Sequence, residues 1–172
     1  MNNAILNFKE PQNEAVLSYM PGSEEYILLK AELERQSNQQ IEIPLIIGGK
    51  EIKTGITGKI VMPHNHQHVL ATYHQATEKE AKMAIEAAMA AKEEWMNLAW
   101  EERGSIMLKA AELISKKYRF QINAATMLGQ SKNAFQAEID SACEIIDFLR
   151  FNVYFATLIY QEQPISENHT IN

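Results

Sequence analysis

A mostly helical α+β fold is predicted by three features of the sequence. Four stretches between residues 77 and 160 carry apolar residues at steps of three and four, the spacing that lines one face of an α-helix. A shorter segment, 41–76, is rich in β-branched residues and is punctuated by Gly48, Gly49, Gly55 and Gly58. Between them Thr77-Glu78-Lys79-Glu80 reads as a capping box, where a Thr hydroxyl accepts from a free backbone N–H and Glu80 reaches back to the cap residue. The expected architecture is therefore a small N-terminal β-hairpin and strand unit followed by a four-helix segment, with one helix ahead of both.

In chain order, residues 1–40 form an arm and a helix. The arm is extended and ends at Pro21-Gly22; Ser23 then caps a helix whose first turn carries Glu24 and Glu25, where the helix dipole favours negative charge. That helix is predicted to run to about Arg35, and Ser37-Asn38-Gln39-Gln40 is a polar linker. IEIPLIIGG then supplies strand residues and a Gly-Gly turn, and Lys59 to Met62 and His68 to Gln75 supply two more strands of a small antiparallel unit.

The first helix after Thr77 carries Ala81, Ala84, Ile85, Ala88, Ala91 and Trp95, an alanine-rich stripe that permits close packing. A second, about Trp100 to Lys117, presents Ile106, Ala110, Leu113 and Ile114. A third, about Arg119 to Leu128, is expected to end at Gly129 as its C-terminal cap. The fourth starts near Ser131 with a stripe of Ile139, Ala142, Cys143, Ile146 and Leu149, and becomes apolar almost all round between Phe148 and Tyr160. Such a helix passes from a surface into the middle of something larger. Pro164 stops it, and the chain runs out in a polar tail.

The balance of 46% hydrophobic and 22% charged residues is that of a globular chain with a core. A net charge of -6 with dispersed Lys and Arg gives no general attraction to nucleic acid or to an anionic membrane, so neither is an expected partner. The single Cys excludes an internal disulfide framework and fits a reducing compartment. With no secretory pattern at the N-terminus, the expected location is the cytoplasm.

Several residues carry chemistry and have plainer readings beside it. Cys143 is the one thiol, but within a buried stripe an apolar setting raises the thiol pKa and blocks access, so core packing is expected. His64, His66 and His68 alternate, which on a regular strand places three imidazoles on one face, where Zn²⁺ or Ni²⁺ binds; Pro63 and Asn65 argue for a turn instead, and no metal is assigned. Asn168-His169-Thr170 matches a glycosylation acceptor, idle without secretion. Asp140, Glu144, Asp147 and Arg150 are spaced for pairing along a helix, Asp147 with Arg150 at i,i+3. There is no GxGxxG, no GxxxxGK[ST] and no His beside a plausible nucleophile, so no catalytic residue is assigned.

The succession "IIGGKEI", "VMPHN", an alanine-rich helix ending at Trp95, "WEERGSIMLKAAELI" and "MLGQSKNAFQAEIDSACEIIDFLRFNVYFA" resembles the beginning of the aldehyde dehydrogenase superfamily. From "NEAVLSYMPGS" to "QEQPIS" it resembles the 1-pyrroline-5-carboxylate dehydrogenase branch, whose members oxidise glutamate semialdehyde to glutamate with NAD in proline breakdown. The resemblance implies a parent enzyme of α/β, Rossmann-like fold, with residues 161–172 starting an oligomerisation arm. It also implies that the nucleophilic Cys, the general-base Glu, the oxyanion-binding Asn and the cofactor loop lie beyond residue 172. The chain is then expected to be an N-terminal fragment, inactive alone, holding no NAD by itself, with the rest of the dehydrogenase polypeptide as its partner and a homo-oligomer as its assembly. Glu138, in the QAEID motif, is the residue the resemblance places at the mouth of the substrate channel, where a carboxylate meets the substrate's ammonium; the plainer reading is a solvated helix-face Glu. Phe135 and Phe148 are read either as channel lining or as core aromatics. The alternatives to a dehydrogenase fragment are a stand-alone, non-catalytic interaction module and a metal-binding protein built on the His64 to His68 cluster.

Overall fold

A computed structural model describes residues 8–162, 164–166 and 169. Asn168 and Thr170 of the Asn168-His169-Thr170 tripeptide and half of the 161–172 segment lie outside them.

The arm runs in extended form to Tyr19, whose φ of 51° turns the chain before α1, Glu24–Ser37. Ser23 caps α1 as expected, its Oγ accepting from the Tyr26 amide at 3.3 Å. Five strands follow: β1 (Ile41–Ile43), β2 (Leu45–Ile47), β3 (Lys50–Ile52), β4 (Thr57–Met62) and β5 (Asn65–His74). The Gly48-Gly49 turn joins β2 and β3, both glycines holding positive φ, which is what a two-residue hairpin turn demands. Pro63-His64 is the turn between β4 and β5. The unit is not wholly antiparallel. β2 and β3 stand apart as a two-stranded hairpin, while β1 pairs parallel with β5, Ile41 opposite Ala71, in a three-stranded sheet of order β1-β5-β4. Pro44, which offers no N–H to a ladder, separates β1 from β2 and lets consecutive strands join different sheets.

The capping box at Thr77 opens α2, Glu78–Asn97: the Thr77 Oγ1 accepts from the Lys79 amide at 3.3 Å and Glu80 accepts from the Thr77 amide at 2.9 Å. α2 leans on β2, and its alanine stripe faces outward rather than into a helix partner, with Ile85 and Met89 both more than 60% exposed. α3 (Trp100–Leu113) and α4 (Arg119–Gln130) are joined through a π-helical turn, Ile114–Tyr118. Gly129 lies inside α4, and Ser131, with φ 55°, is the left-handed residue that ends it. The last helix is continuous but mixed: α5 (Ala134–Ala137), a π-helical turn (Glu138–Cys143) and α6 (Glu144–Gln161).

α1 packs on α4, and α3 on α6. One apolar cluster gathers Tyr19, Leu29 and Ala124 with Leu17, Phe120 and Met127 around them; a second gathers Ala111, Ala142 and Ile146 with Ile114 and Leu149. α3 and α6 come so close that a Cβ on Gly104 would lie 3.1 Å from Val153 Cγ1, tighter than carbon atoms normally pack. Glycine is what lets this crossing form.

Candidate functional site

The π-helical turn at Glu138–Cys143 decides which residues face the core. A wide turn carries one residue more than an α-turn, so residues ahead of it meet the core one position early. Glu138 thereby takes the inward position that plain α-helical periodicity gives to Ile139; Glu138 is completely buried and Ile139 is displaced to the edge, 36% exposed. A buried carboxylate must be paired and hydrogen-bonded to be tolerated. Here the arm and α4 converge to do that.

From the first residue of α4, Arg119 sends its Nη2 to Glu138 Oε1 and its Nε to both carboxylate oxygens, at 3.2 and 3.3 Å. From the arm, the Tyr19 hydroxyl donates to Glu138 Oε2 at 2.6 Å and the Leu17 amide donates to Oε1 at 2.8 Å. From α4, Asn123 Nδ2 donates to Glu138 Oε2 at 2.8 Å and to the Tyr19 oxygen at 3.0 Å. Arg119 is itself 5% exposed and uses its remaining donors on Glu14 Oε1, at 2.6 Å, and on the Ala15 carbonyl, at 2.6 Å. Glu14 also accepts from Arg150 Nη1 at 2.5 Å and from Ser115 Oγ at 2.7 Å. Asp147 accepts from Asn13 Nδ2 and from the Glu14 amide, both at 2.7 Å.

The arm is thus stitched to α4 and to the last helix through charged groups. The predicted Asp147–Arg150 pair along the helix gives way to this: each of the two reaches the arm instead, because the arm's backbone and Glu14 present better-placed partners. Lys132 rather than a helix neighbour meets Asp140, at 2.6 Å.

The electrostatics follow. Burial works to raise the Glu138 pKa, but Arg119, Tyr19 and the Leu17 amide outweigh it and hold the carboxyl below its usual range. Glu14 is likewise held low, Ser115, Arg150 and Arg119 overcoming its burial. Tyr19 is pushed upward by burial and by the anion it donates to. Cys143 is 5% exposed, with Sγ 3.7 Å from Glu138 Oε1, and burial together with that negative charge raises the thiol to about 11. A neutral, enclosed thiol is a poor nucleophile.

Glu138 is therefore no solvated helix-face residue: it has no exposed surface. Its acceptor capacity is spent on protein donors, so an ammonium meeting it here would have to displace Arg119, Tyr19 or Asn123. Phe135 and Phe148, at 62% and 57% exposed, are not core aromatics. The histidines separate: His64 Nδ1 lies 2.8 Å from Ser131 Oγ, His68 Nε2 lies 2.8 Å from the Ser37 carbonyl, and His66 is exposed. No group of three or more His, Cys, Asp or Glu side chains poised for a metal occurs among the described residues.

Sequence reasoning missed Arg119, Tyr19 and Asn123. Arg119 and Asn123 are four apart and share a face with Phe120, Ala124 and Met127, so a polar pair set within an apolar stripe was the available signal. Tyr19 left none, since its partners are more than a hundred residues away.

Beside this closed junction lies an open face. α6 exposes Ile145, Phe148, Phe155, Leu158 and Ile159, and a groove of about 340 Å³ runs between α3 and α6. Trp100 stacks on Tyr160 at one end of it, with ring centroids 4.9 Å apart and planes 18° apart. The Gly48-Gly49 turn leads into a strand, not a helix, so it offers no phosphate cradle at a helix N-terminus.

Residues 53–172 match the sequence profile of the aldehyde dehydrogenase family. The mitochondrial delta-1-pyrroline-5-carboxylate dehydrogenase of Dictyostelium discoideum is 48% identical over 161 residues, 94% of this chain and 29% of that protein. The human mitochondrial protein of the same name is 41% identical over 154 residues, 90% of this chain and 27% of that one. The crystal structure of the Mycobacterium tuberculosis delta-pyrroline-5-carboxylate dehydrogenase bound with NAD superposes with a TM-score of 0.94 at 44% identity, covering 97% of this chain and 31% of that one. The chain spans about 30% of the length of these relatives.

Proposed function

Because the chain belongs to the aldehyde dehydrogenase family, we propose that it forms part of an NAD-dependent 1-pyrroline-5-carboxylate dehydrogenase and contributes scaffold rather than reacting groups. The identity of 48% over 94% of the chain to a relative of that name carries the reading. In the reaction, glutamate semialdehyde and water become glutamate while NAD takes up the hydride. The catalytic thiol, general base and NAD contacts belong to polypeptide outside these residues, and the chain by itself does not turn over. Cys143 supports this, enclosed and with its thiol raised to about 11.

What the chain supplies is placement. The Glu138–Arg119 junction locks the arm across α4 and the last helix, which fixes the pitch of α6 and presents its apolar face outward. That face and the exposed stripe of α2 fit the remaining two thirds of a dehydrogenase and, in the assembled enzyme, further copies of it. No helix among the described residues is long and apolar enough to cross a membrane. We place the protein in a reducing compartment, the cytoplasm, on its one free thiol; imaging of a C-terminally tagged chain against a mitochondrial marker checks this.

The direct test is NADH formation from glutamate semialdehyde by the chain alone and by the chain co-expressed with a polypeptide supplying the rest of the dehydrogenase. Activity in the mixture only is the expected result. Turnover by the chain alone overturns the reading.

A further inference from the structure

His74 is buried at the end of β5, and both of its ring nitrogens are engaged. The Gly55 amide donates to Nδ1 at 3.1 Å, and Nε2 lies 2.9 Å from Glu42 Oε1 on β1. A backbone N–H only donates, so Nδ1 carries no proton here and Nε2–H is the donor to Glu42. Both bonds exist together only while the ring is neutral. The charged groups around it are Glu42 from β1 and Lys53 from the 53–56 loop, whose ammonium holds the other Glu42 oxygen; Glu51 on β3 acts in turn on Lys53. Lys53 and then His74 hold the Glu42 carboxyl below its usual range, so the acceptor at Nε2 is an anion. Gly55, with a φ of 80°, lies in the loop between β3 and β4. Its neighbours are tied to the same strand end: Thr54 Oγ1 donates to the Gln75 carbonyl at 2.9 Å, and the Gln75 amide donates to the Ile56 carbonyl at 2.8 Å. The β2–β3 hairpin shares no ladder with the β1-β5-β4 sheet, and the chain joins the two through Pro44 and this loop.

We propose that His74 is a pH-sensitive latch between the two sheets: neutral, it holds the 53–56 loop to the end of β5; protonated, it keeps its hold on β1 and releases the loop. A proton added to the ring enters at Nδ1, the nitrogen without one. It turns the bond to Glu42 into an ion pair and sets an N–H against the Gly55 N–H, which ends that bond. One contact tightens as the other is lost, so the ring stays with Glu42 and Gly55 is the group that leaves. The latch is closed above the pH at which the ring takes its proton and open below it. Opening frees the hairpin, and α2 which leans on β2, to shift against the three-stranded sheet.

The test is NMR of the full, isotope-labelled chain from mildly alkaline pH down to the onset of unfolding. Long-range proton–nitrogen correlations read which ring nitrogen of His74 bears the proton. Hydrogen exchange reads the Gly55 amide, expressed as a protection factor so that the intrinsic pH dependence of exchange is removed. The expected result is a proton on Nε2 alone at the alkaline end, and a Gly55 protection factor that falls at least tenfold with the same midpoint as the His74 ring, while amides in α1, α4 and α6 keep theirs. Glu42→Gln, at an exposed position, removes the anion that favours the charged ring and moves this midpoint to lower pH. His74→Gln, which still accepts and donates but takes up no proton, abolishes the step. A proton on Nδ1 at the alkaline end, Gly55 protection that survives protonation of His74, or a ring that takes no proton before the chain unfolds overturns the inference. So does a loss that follows another histidine or arrives together with the helices, a midpoint unmoved in Glu42→Gln, or a step that persists in His74→Gln.

Discussion

Two regions sharing the same helices handle polar groups in opposite ways. At the arm junction Glu138, Arg119, Glu14 and Tyr19 are buried or nearly so, and each charge meets several partners. On the α3–α6 face the apolar side chains are exposed, and Arg103 Nε has no acceptor among the described residues. Desolvating a charge is tolerable only when its partners lie within the same folded unit, so the first region is internally complete. The second is a surface whose chemistry makes sense with something laid upon it. One helix, α6, belongs to both, its buried edge to the junction and its outer edge to the groove.

The comparison breaks most readily at Glu138. Glu138→Ala leaves the Arg119 guanidinium buried against a void, and a loss of about 3–5 kcal/mol is expected in urea denaturation, as for other buried pairs cut on one side. Acid probes the same groups without mutation. Glu138 and Glu14 both have folded-state pKa values below the ordinary 4.5. Their contribution is therefore complete above that pH and is lost as pH falls from 4.5 through the lower folded values. A thermal melt that is flat across this range would contradict the network. In Glu138→Ala the acid loss is expected to be shallower.

Gly104→Val tests the crossing that both regions depend on. With Val153 Cγ1 3.1 Å from where a Cβ would sit, the helices must separate, at a cost of about 1–3 kcal/mol. Tyr19→Phe is milder, about 1 kcal/mol, because Asn123 still donates to the same carboxylate oxygen; combined with Glu138→Ala it is expected to add almost nothing, a non-additivity that marks one shared network. At the far end of the scale, Phe148→Asp on the open face is expected to change stability by about 0.5 kcal/mol or less, yet to reduce apolar-dye binding clearly. Large destabilisation there would mean that the face is already covered.

Local chemistry was legible in the sequence and non-local pairing was not. Ser23, the Thr77–Glu80 box and the Gly48-Gly49 turn act within four residues of themselves, and each stands where it was expected. The stripe through Ala142, Cys143 and Ile146 is buried as its spacing foretold. What failed depended on distant partners. β1 looks like a hairpin strand until β5 is there to pair with it in parallel. Gly129 is the better cap by conformation alone, but α4 runs one residue past it and Ser131, held through its hydroxyl by His64, takes the left-handed turn. Above all, the π-turn moves a carboxylate into the core in place of Ile139, and no periodicity count at 3.6 residues per turn contains that extra residue. Asp147 and Arg150 were paired correctly by charge but with the wrong partners, since the arm was invisible to helix spacing.

The long reach of that arm has a bearing on how the chain comes into being. Tyr19 and Leu17 find Glu138 across 119 and 121 residues of sequence. During synthesis at about 5–20 residues per second, the first twenty residues therefore leave the ribosome on the order of ten seconds before their anchor exists. Closing a loop of that length is entropically uphill until the contact is made, so the arm docks late, after α1, the sheet and α2 have had time to form. Stalled nascent chains ending before Glu138 are expected to stay cleavable by protease near Tyr19, and chains long enough to present α6 beyond the exit tunnel to become resistant there. The residue that fixes the arm in the finished molecule is also the one that sets when, during translation, the arm stops being a target.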